Sequence, residues 1–372
     1  MHIREIQLNN FRNYASQRIE PGPAINIFVG PNAQGKSNLL EAVYLLATTK
    51  SHRTNRDTDL IRVGEDTARA YADVVREEQN DIKIEVILSR LEKKIVRLNK
   101  VRHSKIADAI GQLNAVIFSA EDLEMIKGDP SERRRFLNLE VSQLRGEYVY
   151  ALGGYKRALE QRNALLKTLK AHGHGAETLS IWDEQLTGFG SIMLKARFDF
   201  ITHLAEIASR IHSQLTGGVE ELEIQYEPSV SVNETDTVEE VADRFKNDLL
   251  ECRQQELARG ITVRGPHRDD ISFRINGMDA RYFGSQGQQR TTALAVKLAE
   301  IQLAEDMVGE PPVVLLDDVM AELDERRRSH VFDLTFGKCQ TFATATGLDE
   351  FSNEIISDSA VFNVSSGEVA RA

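Results

Sequence analysis

The segment Gly30-Pro31-Asn32-Ala33-Gln34-Gly35-Lys36-Ser37 carries residue types that can hold the phosphates of a nucleotide. It fits the spacing G-x-x-x-x-G-K-S, follows the apolar run 25–29 and opens a helical pattern, which is the context a P-loop requires. Glycine lets the backbone fold around phosphate, and the free N–H groups of a helix start point at the β-phosphate. Lys36 supplies a point charge to the β- and γ-phosphates, and the Ser37 hydroxyl suits Mg²⁺. Far along the chain, Val313-Val314-Leu315-Leu316-Asp317-Asp318 reads as an apolar strand ending in two acids. Asp317 is placed to hold Mg²⁺, directly or through water. Asp318 stands where a general base or water-positioning carboxylate belongs. Residue type and spacing thus point to ATP and Mg²⁺, with Lys36, Asp317 and Asp318 as the catalytic set.

Such residues need a sheet to carry them. Ile3, Ile6 and Leu8 alternate with polar neighbours as in a strand, a turn follows at Pro21-Gly22-Pro23, and 25–29 reads as a short buried strand. Residues 38–48 are helical by pattern. Residues 68–76, 82–90 and 93–99 read as antiparallel strands, and 114–118 as another apolar strand. From about 131 to 216 the pattern is almost continuously helical, with one clear break at His172-Gly173-His174-Gly175. The stretch 131–172 would be about 60 Å long if straight, but it lacks a sustained heptad and so is an arm or lobe, not a long coiled coil. A strand at 222–226 and a third helix at 237–259 follow. Strand character returns at 261–264 and 271–276, helix at 290–307, and strands at 313–316 and 341–344, the last of them. The pattern predicts an α/β P-loop ATPase head built from 1–119 and 261–372, with a helical lobe inserted at 120–260. One Mg²⁺ needs both Ser37 and Asp317, so these two must lie within about 10 Å of each other.

Composition sets bounds. The chain has 372 residues, 41% of them apolar and 28% charged, as in a globular protein. No run of about 18 apolar residues reads as a membrane span, and the first residues lack a signal-peptide core. Cys252 and Cys339 match no metal spacing and are expected to be reduced and structural; the expected compartment is the cytoplasm. A net charge of −11 argues against a protein that coats DNA through bulk charge, but leaves room for a local basic surface.

Further segments carry resemblances. Phe283-Gly284-Ser285-Gln286-Gly287-Gln288-Gln289, directly before a helix, resembles the signature of ABC-type ATPases, with Ser285, Gly287 and Gln288 at the matching places. In that group the signature contacts the γ-phosphate bound to the other subunit. Ala321-Glu322-Leu323-Asp324 resembles the D-loop, which crosses the same interface, with Asp324 at its end. Asn10-Phe11-Arg12-Asn13-Tyr14 resembles the segment that touches nucleotide in SMC and Rad50-like heads, which makes Arg12 and Asn13 candidate ATP contacts. SMC and Rad50 proteins interrupt this head with long coiled coil; here only a compact helical insert is present. Glu121-Asp122-Leu123, Lys127 through Leu137, Lys50-Ser51-His52-Arg53-Thr54 and Gly265-Pro266-His267-Arg268-Asp269-Asp270 closely resemble the RecF family of bacterial recombination mediators, over essentially the whole chain.

That resemblance implies a weak ATPase, not a metabolic enzyme, that forms a homodimer with ATP and binds double-stranded DNA. It implies work with RecR and RecO at gapped DNA, helping RecA load where single-strand-binding protein is in the way, and a place in the SOS response. The sequence departs from the pattern in places. Ala33 stands where many P-loops of the group have glycine, Ala120 where proline is commoner, Asn138 where aspartate is commoner and Asp318 where ABC proteins have glutamate. The final strand, ending Thr344-Ala345-Thr346, lacks the switch histidine of transporters.

The basic residues divide between readings. His52, Arg53 and Arg56 follow the P-loop helix and are candidates for DNA contact or nucleotide sensing. Arg133, Arg134 and Arg135 occupy successive helix positions and point three ways, so one or two at most can serve one partner; intramolecular packing and phosphate contact both stay open, as they do for His267 and Arg268. Two other functions compete with an ATP-gated DNA-binding mediator. A transporter-type ATPase subunit would carry the switch histidine, and a P-loop kinase for small molecules would need neither signature nor D-loop.

Overall fold

A computed structural model describes residues 1–77, 80–172, 178–322 and 324–372. The chain divides into two compact units. The first comprises 1–123, 214–218 and 293–372, and the second 124–213 and 219–292.

The first unit begins with β1 (His2–Phe11) and β2 (Tyr14–Ile19), followed by β3 (Ile25–Val29) and α1 (Lys36–Thr48). β4 (Thr67–Val75), β5 (Ile82–Ser89), β6 (Ile95–Leu98), β7 (Val101–His103) and β8 (Ala115–Phe118) come next. An antiparallel sheet runs in the order β2-β1-β4-β5-β6-β7. Its strands alternate: in β1, Ile3, Ile6, Leu8 and Phe11 are buried while the residues between them are not, as expected of a sheet with one covered face. α1 is buried on nearly every side, from Leu39 to Thr48, which marks a helix enclosed by the core. Its side chains join those of the antiparallel sheet and of β8 in one apolar cluster.

The second unit contains α3 (Pro130–Leu144), α4 (Gly146–His172), β9 (Leu222–Glu227), α6 (Val238–Glu251), α7 (Arg253–Arg259), β10 (Asp270–Ile275), β11 (Met278–Asp279) and α8 (Ala280–Phe283), with most of α2 (Leu123–Lys127) and of α5 (Leu179–Thr216), whose residues 123 and 214–216 count with the first unit. α9 (Gln286–Val308) follows, and the division between the units falls inside it. Several sequence expectations change here. The stretch 131–172 is not one helix: Arg145 takes an extended conformation and ends α3. Cys252 likewise parts α6 from α7. Residues 261–264 form no strand, because their N–H groups find side chains instead of a neighbouring strand. Thr262 N donates to Asn163 Oδ1 at 2.7 Å, and Val263 N to Glu256 Oε1 at 3.0 Å. The return to the head, expected at 261, falls near 293. β10 pairs with β9 along six residues, Asp270↔Glu227 to Ile275↔Leu222, and this ties 270–275 to the second unit. Of the expected break at 172–175, residues 173–175 lie outside the described residues.

The arginine-rich helix start is used inside this unit. Arg133 forks onto both carboxylate oxygens of Asp270, at 2.5 and 2.9 Å, and Arg134 donates to Asp269 O at 2.9 Å. Asp269 is itself fully buried, accepting from Arg197, Tyr226 and Ser229 N. His267 bonds Tyr155, and burial pushes its imidazole down to about 4, so it is neutral near pH 7. For Arg133, Arg134, His267 and Arg268, which donates to Thr262 O, the observed partners are intramolecular.

The first unit resumes with β12 (Val313–Leu316), α10 (Glu325–Thr335), β13 (Thr341–Ala345), α11 (Asn353–Ser357), β14 (Ser359–Ser365) and β15 (Glu368–Arg371). β13 is therefore not the last strand, since the hairpin β14–β15 follows. A second sheet has the order β15-β14-β3-β13-β12-β8, parallel except for β14–β15. β8, β12 and β13 are buried at every residue, as strands covered on both faces are. Parallel pairing brings the carboxyl ends of β3, β13 and β12 to one edge, where α/β sheets bind ligands. No helix among the described residues is long and apolar enough to cross a membrane.

Candidate nucleotide site

Gly30 through Ser37 leave the end of β3 and enter α1. Gly30 N donates to Ala345 O on β13, and a Cβ at Gly30 would stand 2.2 Å from Val364 O on β14, so only glycine fits. Gly35 has φ +121°, and a Cβ there would press on the Asn13 amide at 2.6 Å. α1 starts with no side-chain cap on its N-terminal N–H groups, so its first turn is free to meet an anion. The Lys36 ammonium is buried and donates to Gly30 O at 2.8 Å and Pro31 O at 3.3 Å, which holds it within the loop's own curve. Pro31, Asn32 and Ala33 form the exposed rim.

The loop is braced from two sides. Asn13 Nδ2 donates to Gln34 O at 2.8 Å, and Tyr14 OH to Gly35 O at 2.9 Å. The β14–β15 turn supplies Ser366 N to Gln34 Oε1 at 2.7 Å and Gly367 N to Gln34 O at 3.0 Å. Ala33 sits at φ 64°, in the left-handed region, which costs an ordinary residue about 1–2 kcal/mol. Ala33→Gly should therefore raise stability by roughly 0.5–1 kcal/mol in urea unfolding, part of the relief being offset by the freer unfolded chain.

The acidic half of the site comes from β12. Ser37 lies within hydrogen-bonding reach of the Asp317 carboxylate, so the P-loop and the acid strand do meet. Burial pushes the Asp317 carboxyl up and the charge of Asp318 adds to that, while the hydroxyls of Ser37 and Thr344 pull it down. Asp318 has φ 53°, a conformation aspartate tolerates better than most residues. One residue that the motif reading did not single out ties the pair together. Thr344 Oγ1, on β13 between the P-loop strand and the acid strand, accepts from Asp318 N at 2.8 Å. It lies 3.0 Å from Asp318 Oδ1 and 3.2 Å from Asp317 Oδ1. Nothing in the sequence distinguishes it from Thr341, a second threonine of the same fully buried strand.

Behind the loop, Glu41 on α1 is fully buried and gathers cations. Arg12 meets it with two parallel bonds, at 2.8 and 2.7 Å, and spends its third nitrogen on Asp59 O. Its observed partners are thus scaffold atoms. Arg53 lies 3.7 Å from Glu41, donates to Asn38 Oδ1 at 3.0 Å, and its charge reaches Asp317. His52, expected among DNA contacts, is buried edge-on against Tyr44 and is not presented on the surface. Arg53 and Arg56 are exposed.

The signature residues lie in the second unit. Ser285 caps α9: its Oγ accepts from Gln288 N, and Gln288 Oε1 accepts from Ser285 N. Ser285 and Gly287 are exposed, and Tyr282 and Phe283 beside them are each 70% exposed. In the first unit, Asp324 caps α10 through Arg327 N at 2.9 Å; Leu323 of the D-loop segment lies outside the described residues. Hard-cation chemistry fits the donors present. Among the described residues no group of three or more His, Cys, Asp or Glu side chains gathers to hold a metal, and Mg²⁺ takes only one or two protein oxygens when phosphates supply the rest. Ser37 and Asp317 are that kind of pair.

Comparison with known proteins places the chain in a family. Residues 2–356 match the RecF/RecN/SMC N terminal domain. The chain is 41% identical to a protein named DNA replication and repair protein RecF from Geobacillus sp. (strain WCH70), and 42% identical to its namesake from Bacillus mycoides (strain KBAB4). Each alignment covers 99% of this chain and 98% of the relative. A solved structure described as the recombination mediator protein RecF-ATP in the RecFOR pathway superposes with a TM-score of 0.92 at 34% identity, over 100% of this chain and 97% of that one. The chain is a member of the RecF family, one branch of the RecF, RecN and SMC group.

Proposed function

We propose that this chain is an ATP-gated DNA-binding protein of recombinational repair and replication, acting as a recombination mediator. The observation that carries the reading is the joined site: an uncapped helix start, a buried lysine curled inside the P-loop, and Ser37 against Asp317. Relatives named for DNA replication and repair, and a RecF structure with ATP, support it. Ser37 and Asp317 would hold Mg²⁺, which when bound neutralises phosphate charge. Lys36 binds the β- and γ-phosphates. Asp318 orients the attacking water and accepts its proton as the new P–O bond forms and the bond to the leaving ADP breaks. The cytoplasm is the compartment this work implies. Asp318→Asn keeps the tolerated backbone conformation but removes the base. Hydrolysis should fall roughly a hundredfold in a single-turnover assay, with ATP affinity within about threefold of wild type.

The finer reading is a gate. Ser285, Gly287 and Gln288 act on the γ-phosphate held by a second copy of the chain, with Asp324 crossing the same contact. The exposed pair Tyr282 and Phe283 beside the signature is apolar surface of the kind interfaces cover. ADP lacks the γ-phosphate and leaves the heads apart. A single chain with net charge −11 repels DNA at long range, and only a basic surface assembled from two chains, including Arg53 and Arg56, outweighs that. The DNA is double-stranded and gapped, and RecR, with RecO, joins there to aid RecA loading.

A gel shift with duplex DNA at several salt concentrations, with ATP and with ADP, tests this first. Ser285→Arg should bind ATP as wild type does, stay monomeric in sedimentation and lose ATP-dependent duplex binding. A Ser285→Arg protein that dimerises with ATP, or wild type that binds duplex equally with ADP, would overturn the gate.

A further inference from the structure

The first unit holds a cavity of about 850 Å³ outside the nucleotide site, between α10 and the segment 348–355. Its floor is aromatic: Phe332 on α10 and Phe351 opposite meet edge-on with centroids 6.3 Å apart. Phe336 stands at the lip, 41% exposed. Around this floor the lining carries four carboxylates, Asp333, Asp349, Glu350 and Glu354, against one guanidinium, Arg328. None of the four acids has an ion pair among the described residues. Glu350 accepts from Thr346 N and Oγ1 through one oxygen, while its other oxygen is buried without a hydrogen-bond partner.

Such a groove is costly to leave as plain surface: Phe336 keeps aromatic area in water, and four carboxylates stand together against a single guanidinium. The acids lie on both walls, and along one wall Glu350 and Glu354 are four residues apart. A single small cation cannot answer charges spread in this way, whereas a run of spaced lysines or arginines can. The aromatic floor in turn suits one or two large apolar side chains, the anchor pattern by which amphipathic helices sit in grooves. We propose that this groove is a docking site for a basic amphipathic segment of a partner protein, anchored by a large apolar side chain on Phe332, Phe336 and Phe351. The docking is independent of the nucleotide reading.

The test uses the full chain and a defined probe. This is a fluorescein-labelled helical peptide of about 14 residues, roughly 20 Å long, with leucine or phenylalanine at every third or fourth position and lysines between. A control peptide carries glutamate in place of each lysine. Wild type should bind the basic peptide with micromolar affinity at about 0.1 M salt, where surface charge is only partly screened, and bind the acidic one at least tenfold more weakly. Phe336→Asp and, separately, Asp333→Lys combined with Glu354→Lys should each weaken binding at least tenfold. All three positions are exposed or at the lip, so thermal melts should match wild type. A photo-crosslinker on the peptide's apolar face should mark residues 325–357. Equal binding by both variants, equal affinity for both peptides, a crosslink elsewhere, or loss in the charge variant alone would each overturn the proposal. A change of oligomeric state in Phe336→Asp without nucleotide would assign the groove to a second copy of the chain, and would also overturn it.

Discussion

Lys36→Ala should lower affinity for ATP at least a hundredfold while leaving the fold intact. The ammonium has no other task in the first unit: it donates to Gly30 O and Pro31 O, both carbonyls of the loop that receives phosphate. It thus stands where the β- and γ-phosphates arrive, at little cost in ordering. Charge-assisted hydrogen bonds are worth about 1.5–3 kcal/mol each, so losing two, one to each of the β- and γ-phosphates, exceeds the roughly 2.7 kcal/mol that a hundredfold change in Kd represents. No other cation can substitute for it from within the loop, and Arg12 is held on Glu41. Titration calorimetry with ATP, beside thermal melts of the nucleotide-free proteins, reads both halves. Affinity within tenfold of wild type would mean that the loop's backbone N–H groups do most of the binding.

Arg162→Ala should destabilise the second unit by about 3–5 kcal/mol. Arg162 is fully buried and spends its nitrogens on Asp183 Oδ1 at 2.8 Å, Glu256 Oε2 at 2.6 Å and Thr262 Oγ1 at 2.7 Å. Glu256 is also fully buried. Removing the guanidinium leaves a carboxylate without its cation in a poorly solvated place, and that uncompensated charge is the main cost. Adding Glu256→Gln to the variant should recover part of the loss, since the amide carries no charge yet can still accept from Val263 N. Urea unfolding of the single and double variants measures both steps. No recovery would mean that lost packing, not unpaired charge, sets the cost.

The sequence made some parts of this molecule legible and hid others, for physical reasons. The P-loop and the Asp317–Asp318 strand end could be read because each is a local arrangement, in which chemistry fixes neighbours in the chain. Thr344 could not, because its role depends on β13 lying between β3 and β12, and pairing between distant strands leaves no spacing to count. Arg12 and His52 have the right residue types, but that Arg12 pairs with the buried Glu41 and that His52 packs against Tyr44 depends on contacts no spacing reveals. Strand character at 261–264 was misleading for a related reason. Thr262 and Val263 favour extended backbone, yet Asn163 and Glu256 satisfy their N–H groups as a sheet would. The hairpin β14–β15, whose turn braces Gln34, was missed although Ala360, Val361, Phe362 and Val364 give β14 a strand-like apolar run.

The order of the parallel sheet has a consequence for synthesis. β3, which carries the P-loop, lies between β13 and β14, and Asn26 on β3 reaches Thr341 O across 315 residues of chain. On the ribosome, at about 5–20 residues per second, the P-loop strand emerges many seconds before either neighbour exists. Until then it is an apolar segment with both edges open, a template for wrong pairing. The second unit is complete by residue 292, so its helices can fold while β3 waits. Closure of the nucleotide site is therefore a late event, joined to emergence of β13 and β14, and slow because the contacts that reward it are so distant in sequence. Truncation before residue 341 should accordingly give a chain whose second unit folds but whose first exposes β3 and aggregates.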